Sequence, residues 1–267
     1  MFWKRTITAL IGIPVLILLV YAGGIPLAVF VVLLALGGSF EIQRIYRRID
    51  IRCPQLLIYG SAFLFPLLAY YAPQGREYYF MFAGMMVLLL SHMMVLVLAF
   101  PRWGIDSIAA SYLGSCYISA LFSHLILIRK LSPYGWQLLL FVFLLTWACD
   151  IGAYFIGRLC GRRHPYPALS PHKTFEGSAG GILFCIGVAV LFQFLCPVLT
   201  YPKVLFLAII TGFVVQIGDL AESALKRIGR VKDSGNLLPG HGGILDRFDS
   251  LLFSAPVAYL LIILVLP

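Results

Sequence analysis

Charged residues are scarce in this sequence. Asp, Glu, Lys and Arg make up only 12% of its 267 residues, whereas hydrophobic residues make up 61%. Soluble domains carry about 25% charged residues, so this composition excludes an ordinary soluble globular protein. Because long apolar runs cross membranes as helices, we expect an all-α, polytopic integral membrane protein with a polar cavity that faces the cytoplasm.

The sequence also lacks the motifs of several other protein classes. The six cysteines include no C-x-x-C pair, and the lone C-x-x-x-H of Cys160 and His164 has too few ligands for a structural zinc site. The P-loop pattern GxxxxGK is absent around Lys173 and Thr174, which excludes a Walker-type nucleotide site. No nucleic-acid recognition motif accompanies the net charge of +9, so we expect anionic lipids and polyphosphates as partners and no nucleic acid.

Nine apolar runs are long enough, or nearly so, to cross a hydrocarbon core that needs about 20 helical residues. They lie near residues 6–22, 24–40, 56–73, 79–100, 108–128, 136–158, 179–199, 202–222 and 250–266. The first run could be a signal peptide, but we favour an uncleaved helix because no soluble domain follows it. We expect residues 1–130 to form a scaffold of about five helices and residues 131–267 a catalytic region of about four helices with two polar cytoplasmic loops.

The basic residues predict the orientation, because Lys and Arg of short loops are retained on the cytoplasmic side. With the N-terminus inside, sixteen Lys and Arg residues fall in cytoplasmic segments and four fall outside. The outer four are Arg76, Arg129, Lys130 and Lys203. We therefore expect a bacterial inner-membrane protein with a cytoplasmic N-terminus and active site and an external C-terminus.

The stretch from Gly218 to Ser250 is strongly polar although apolar runs lie on both sides of it. It contains five acids, five bases, one His and six Gly. A carboxylate in a membrane helix costs roughly 2.5–3.5 kcal/mol, so its presence indicates a functional need. On a helix, one face would carry Asp219, Glu222, Ser223 and Lys226, and another would carry Asp246 and Asp249. The stretch therefore predicts ion binding or catalysis.

Residues 223–249, SALKRIGRVKDSGNLLPGHGGILDRFD, resemble the signature of the phosphatidate cytidylyltransferases, also called CDP-diacylglycerol synthases. The shared pattern is Ser, an aliphatic residue, Lys-Arg, Lys-Asp, Pro-x-His-Gly-Gly and Asp-Arg-x-Asp, and this span departs from it nowhere. The SPHKTFEG segment, residues 170–177, resembles a second motif of the same family. The resemblance implies CTP and phosphatidic acid as substrates, and CDP-diacylglycerol and pyrophosphate as products.

Nucleotidyl transfer needs alignment and neutralisation of phosphate charge rather than a protein nucleophile. Carboxylate oxygens suit Mg²⁺, so we predict that Asp219, Asp246 and Asp249 bind one or two Mg²⁺ ions and form the catalytic group with Lys226. The predicted substrate-binding residues of the signature are Ser223, Arg227, Lys232, Asp233, His241, Gly242, Gly243 and Arg247. Those that precede it are Asp150, Ser170, His172, Lys173 and Thr174.

Several polar residues allow two explanations. Asp150 could line the polar cavity or pair with Arg158 on the same helix face. Glu176 could act at the site or serve as a helix-entry charge. The basic loop of residues 41–52 could bind anionic lipid, but a topology signal explains it equally well. His92 and His124 lie in apolar runs, where a neighbouring helix usually satisfies such side chains.

Three other functions were weighed against nucleotidyl transfer. An ion-coupled transporter would place its carboxylates near the bilayer midplane, often with repeat symmetry, whereas these ionisable residues cluster in the second half of the chain. A non-catalytic lipid-binding protein would not need so many carboxylates and bases in one span. A CTP-dependent polyprenol kinase is the nearest enzymatic alternative, and it would release CDP rather than pyrophosphate. The sequence leaves the oligomeric state open, a homodimer included.

Overall fold

The computed structural model describes residues 2–237 and 242–265, which are folded predominantly into α-helices. The helices are α1 (Phe2–Ala22), α2 (Gly24–Arg47), α3 (Gln55–Tyr71), α4 (Glu77–Leu98), α5 (Ile105–Ser115), α6 (Leu121–Lys130), α7 (Gly135–Cys160), α8 (Phe175–Leu195), α9 (Tyr201–Ile228) and α10 (Leu245–Val265). A π-helical turn, Cys116–Ala120, joins α5 to α6, so the two form one continuous rod. The all-α prediction is confirmed.

Seven of the described helices are long and apolar enough to cross a membrane. They are Gly24–Arg47, Glu77–Leu98, Ile105–Lys130, Gly135–Cys160, Phe175–Leu195, Tyr201–Ile228 and Leu245–Leu264. Two shorter apolar helices, Leu10–Ala22 and Gln55–Tyr71, fall below that length. The chain is therefore a polytopic membrane protein, while the count of nine crossings remains a prediction.

Large apolar side chains cover much of the outer surface of these helices. The side chains of Leu56, Leu98, Phe194 and Leu264 are each more than 70% exposed. Exposure on this scale would drive association in water, but it is the expected surface of helices that face lipid.

The chain divides into two compact units that interleave in sequence. The first unit contains residues 1–130 and 225–248, and the second contains residues 131–224 and 249–267. Both α9 and α10 therefore contribute residues to each unit. The polar stretch identified in the sequence is likewise divided between the units, with Asp246 in the first and Asp219 and Asp249 in the second.

Polar contacts join the helices of the first unit where its core is apolar. The hydroxyls of Ser61 and Ser119 lie 3.0 Å apart, and the two ring nitrogens of His92 lie 2.8 Å from the Leu88 carbonyl and from the Ser111 hydroxyl. As the sequence predicts, His92 is satisfied by a neighbouring helix. Such bonds matter in a membrane because no water is available to replace them.

Two basic residues at the end of α6 hold the ends of other helices. Arg129 donates hydrogen bonds of 2.8 Å to the carbonyls of Val20 and Tyr21 at the end of α1. Lys130 donates to the carbonyls of Ala69, Tyr70 and Ala72 at the end of α3, at distances between 2.6 and 3.0 Å. The last carbonyls of a helix have no partner within it, so both side chains have a structural task.

In the second unit, glycines allow α7 and α8 to pack closely. A Cβ atom on Gly152 would lie 2.6 Å from the Phe184 ring, and one on Gly181 would lie 2.9 Å from the Cys149 carbonyl oxygen. A third helix, α9, also contacts α8, because the side-chain amide of Gln216 donates a 3.1 Å hydrogen bond to the Ser178 carbonyl. Small residues at such contacts let two membrane helices approach closely, and this pair positions the loop between them.

Candidate active site

The loop between α9 and α10 carries most of the signature and is called the signature loop below. Glu41, which belongs to α2, anchors this loop in the first unit. Its carboxylate is fully buried and accepts three hydrogen bonds of 2.9 Å. The donors are the Ser234 hydroxyl and the backbone N–H groups of Ile244 and Leu245. Since α10 begins at Leu245, Glu41 satisfies N–H groups that have no partner within that helix. A buried carboxylate thus fixes the loop to the start of α10.

Asp246 forms a second carboxylate network in the same unit. Its Oδ2 atom accepts backbone hydrogen bonds from Ser234 at 3.0 Å and from Gly243 at 2.9 Å. Its Oδ1 atom lies 2.8 Å from Nζ of Lys226 in an ion pair that is largely shielded from solvent. Ser234 therefore bridges the two networks, with its hydroxyl on Glu41 and its N–H on Asp246.

The two glycines that follow His241 are required by this close packing. Gly242 has a φ of +85°, which side-chain-bearing residues rarely adopt, and a Cβ atom there would lie 2.9 Å from the Asp246 carboxylate. A Cβ atom on Gly243 would collide with Ser234 and Glu41. The sequence predicts that these glycines let the backbone approach the substrate. In this unit the backbone of Gly242 lies close to Asp246, and that of Gly243 lies close to Glu41.

A cationic cavity of about 240 Å³ lies beside this loop in the first unit. Its lining residues are Arg44, Ile45, Arg48, Val231, Lys232, Asp233, Ser234, Gly235 and Asn236. Three bases and one acid line it, so the lining carries a formal charge of +2. Arginine and lysine side chains around a small cavity are suited to binding phosphate groups.

The sequence does not single out Glu41, Arg44 and Arg48, because a topology signal or a lipid contact is enough to explain the basic loop of residues 41–52. Two signals could have identified them. Glu41 is an acid at the end of a long apolar run, where an ionisable residue is by default functional or paired. Arg44 and Arg48 are four residues apart and so share one side of a helical turn.

In the second unit, the loop that precedes α8 presents Lys173 to Asp219. The Nζ atom of Lys173 lies 2.8 Å from Oδ2 of Asp219, and the Ser223 hydroxyl lies 3.5 Å from Oδ1 of the same carboxylate. The Asp219 side chain is 37% exposed, so its carboxylate is open to ions, whereas the Lys173 Nζ atom is shielded from solvent. Two distant parts of the sequence, the SPHKTFEG segment and the polar stretch, therefore meet in this unit.

The shape of that loop depends on Thr174 and Glu176. The Thr174 hydroxyl caps α8 by accepting the Gly177 N–H at 3.1 Å. The Glu176 carboxylate accepts the backbone N–H groups of Arg162 at 3.0 Å and Arg163 at 3.2 Å. Thr174, predicted as a phosphate ligand, is buried and serves as the helix cap, and Glu176 is a local structural charge.

Asp150 completes an acidic group in the second unit. It experiences electrostatic repulsion from Asp249 and Asp219 and attraction from Lys173. Arg158 does not pair with Asp150, because its guanidinium donates a 2.9 Å hydrogen bond to the Tyr154 hydroxyl. The described side chains therefore give no ion pair between Asp150 and Arg158, and the role of Asp150 at the site stays a prediction.

This acidic group has the donor chemistry that Mg²⁺ requires. Asp219 and Asp249 repel the Asp150 carboxylate while Lys173 attracts it, and carboxylates brought together in this way favour a bound cation. Among residues 2–237 and 242–265, no three His, Cys, Asp or Glu side chains stand close enough to ligate one ion directly. Mg²⁺ keeps several of its waters in proteins, so carboxylates also bind it through water.

The other predicted site residues are placed as follows. Arg227, Lys232, Asp233 and Arg247 are exposed in the first unit, and Ser170 and His172 lie in the loop that precedes α8 in the second. His241 lies outside the described residues.

Comparisons with known proteins cover nearly the whole chain. The model of the cytidylyltransferase family matches residues 3–265. A phosphatidate cytidylyltransferase of Bacillus subtilis (strain 168) is 35% identical over 267 residues, which is 98% of this chain and 97% of that protein. Proteins of the same name from Staphylococcus epidermidis and Staphylococcus haemolyticus are 35% and 34% identical over 97% of this chain and 98% of their own length. The chain thus belongs to the cytidylyltransferase family.

Proposed function

We propose that this membrane protein transfers the cytidylyl group of CTP to phosphatidate, which yields CDP-diacylglycerol and pyrophosphate for phospholipid synthesis. The observation that carries the proposal is the family relationship over the full chain, to relatives named phosphatidate cytidylyltransferase. The geometry is consistent with it, because the first unit has a cationic cavity beside the signature and the second unit has an acidic group with a lysine.

The reaction is a direct displacement. The phosphate of the lipid is anionic at neutral pH, so its oxygen attacks the α-phosphorus of CTP without needing a general base. As this bond forms, the bond from the α-phosphorus to the bridging β-phosphate oxygen breaks, and pyrophosphate leaves. The protein must therefore align the two reactants and stabilise negative charge on the phosphates.

Basic residues of each unit supply part of that stabilisation. In the first unit, Arg44, Arg48 and Lys232 bind phosphate oxygens in the cationic cavity. In the second unit, Lys173 is held by Asp219 and contributes a further positive charge. The networks of Glu41 and Asp246 contribute indirectly, because they fix the loop that carries Lys232.

The carboxylates of the second unit, Asp219, Asp249 and Asp150, are proposed to hold one or two Mg²⁺ ions. A bound Mg²⁺ would neutralise charge on the triphosphate and on the departing pyrophosphate. Asp246 already accepts three hydrogen bonds, and a carboxylate has about four acceptor positions, so little of its capacity is left for a metal. That part of the predicted metal set remains a prediction.

The proposal is tested with purified full-length protein in detergent, phosphatidate, Mg²⁺ and CTP labelled separately at the α- and γ-phosphates. We expect the α-label in the lipid product and the γ-label in pyrophosphate. Release of CDP, with the γ-label in a lipid, would instead identify a CTP-dependent kinase and contradict the proposal.

We also propose that the N-terminus and the active site face the cytoplasm and that the C-terminus faces outward. The support is the distribution of basic residues, with sixteen in segments assigned to the cytoplasm and four in segments assigned to the outside. Two of those four, Arg129 and Lys130, are used to bind helix ends, so their position has a structural reason.

Cysteine labelling tests this orientation. Cys53 is a poor probe because it is buried, and burial raises the pKa of its thiol to about 11. Cys160 is exposed at the end of α7, so a variant that retains only this cysteine is suitable. We expect an impermeant maleimide to label it in right-side-out vesicles only after permeabilisation, whereas labelling of sealed vesicles would contradict the proposed topology.

A further inference from the structure

A second cavity in the first unit contains no residue of the signature. It has a volume of about 490 Å³ and is lined by Arg47, Arg52, Cys53, Gln55, Arg102 and Trp103. Arg47 lies between Arg44 and Arg48 in the sequence. Of these three arginines, Arg44 and Arg48 line the cavity beside the signature loop, whereas Arg47 lines the second cavity. Successive helical residues point about 100° apart, so the end of α2 can supply arginines to two separate cavities.

The charge of this second cavity is entirely positive. Its lining includes three arginines and no carboxylate. Within the described part of the chain, neither Arg47, Arg52 nor Arg102 forms an ion pair with an acid. The Arg102 guanidinium lies 5.2 Å from the centre of the Trp103 ring, and this cation–π contact holds it at the cavity. Three guanidinium groups without a protein counter-ion suit a phosphate ester.

The surroundings of the cavity are apolar. It lies where α2 ends, α3 begins, α4 ends and α5 begins. Close to these ends in sequence, Leu56 is 84% exposed, Val97 is 74% exposed and Phe100 is 78% exposed. Arginine and tryptophan beside exposed aliphatic and aromatic side chains are typical of the boundary between acyl chains and headgroups.

We propose that this cavity binds the headgroup phosphate of an anionic phospholipid whose acyl chains lie against the exposed apolar side chains. A free phosphate would use the arginines but leave that apolar surface unused, so the lipid is the favoured source. A zwitterionic lipid is disfavoured because its own cationic amine would face three arginines with no acid to receive it. The site does not depend on the proposed enzymatic activity, since it shares no lining residue with the cavity beside the signature loop.

The test compares lipid binding by the full-length protein and a triple variant, Arg47→Gln/Arg52→Gln/Arg102→Gln, using native mass spectrometry in detergent. The probes are phosphatidylglycerol and phosphatidylcholine with identical acyl chains. One basic residue near a membrane surface changes anionic lipid affinity about fivefold, so we expect the triple variant to lose roughly 100-fold for phosphatidylglycerol. The matched control, Arg76→Gln/Arg162→Gln/Arg163→Gln, removes three exposed arginines elsewhere and should bind as the unaltered protein does.

Three results would overturn the proposal. The first is phosphatidylglycerol binding by the triple variant within twofold of the unaltered protein, and the second is equal binding of phosphatidylcholine. The third is displacement of the lipid by glycerol phosphate at the same affinity, which would identify a site for soluble phosphates. If the triple variant does not elute as a folded protein, the single variant Arg52→Gln replaces it, because Arg52 is an exposed loop residue. Its affinity for phosphatidylglycerol should still fall about fivefold.

Discussion

The two compact units use their carboxylates in opposite ways. In the first unit, Glu41 and Asp246 accept hydrogen bonds from a hydroxyl, from backbone N–H groups and from Lys226. In the second unit, the carboxylates of Asp219 and Asp249 repel that of Asp150, and Lys173 forms an ion pair with Asp219. The acids of the first unit are bound mainly by the loop and its backbone, whereas those of the second unit lie near one another and beside a lysine.

This difference separates two roles that look alike in the sequence. Asp246 and Asp249 are three residues apart at the start of α10 and belong to the same Asp-Arg-x-Asp motif. Asp246 accepts three hydrogen bonds within the loop network of the first unit, while Asp249 interacts with the other carboxylates of the second. Two acids of one short motif can therefore have different partners in the folded chain.

The largest effect should follow from removing negative charge in the second unit. We expect Asp219→Asn and Asp249→Asn each to lower kcat by roughly 100- to 1000-fold, because loss of a metal ligand removes several kcal/mol of transition-state stabilisation. The measurement is activity across a Mg²⁺ titration, with folding checked by gel filtration. Asp106→Asn, an exposed acid of the first unit, is the control and should behave as the unaltered protein does.

Near-normal turnover of both variants, with unchanged Mg²⁺ dependence, would contradict the cation role and leave these residues as surface ion-pair partners worth about 0–1 kcal/mol. The same titration on Asp246→Asn sharpens the comparison. A strong fall in apparent Mg²⁺ affinity there would add Asp246 to the metal set, as the sequence predicts.

A smaller effect, mainly on stability, is expected from Glu41→Gln in the first unit. Its carboxylate serves three donors, and an amide can offer only one oxygen to them. Each buried donor left without an acceptor costs about 1–3 kcal/mol. The melting temperature in detergent should fall while the Mg²⁺ dependence of the remaining activity is retained.

Asp106→Asn again provides the comparison, because it removes one carboxylate of the same unit at an exposed position. Equal melting temperatures for the two variants would mean that Glu41 does not anchor the loop.

The smallest effect should come from substitutions in the cavity beside the signature loop, which Arg44, Arg48 and Lys232 line. Arg44→Gln and Arg48→Gln are each expected to raise KM for CTP about fivefold with little change in kcat, because exposed charge contacts are individually weak. Arg47→Gln is the matched control, since it removes an adjacent exposed arginine that lines the other cavity. If all three variants shift KM equally, the effect is one of general charge and the division between the cavities is wrong.

The local patterns of the sequence were sufficient for the membrane helices and for the family resemblance. Apolar runs predict membrane helices because the hydrocarbon core requires every backbone group to be bonded within the segment. The polar stretch predicts the functional region because charge in such surroundings must be compensated. The role of Thr174 was not recognised, because a Thr before a helix can equally cap it or bind phosphate.

What the sequence alone determined is therefore the membrane class, the helices and the stretch in which acids and bases concentrate, since each depends on neighbours in the chain. Only the tertiary structure decided which residues act together. Glu41 meets Ser234 across 193 positions and Leu245 across 204, and no local spacing connects them. The same holds for Lys173 and Asp219, and for the division of neighbouring arginines between two cavities, because side-chain partners depend on which helices pack together.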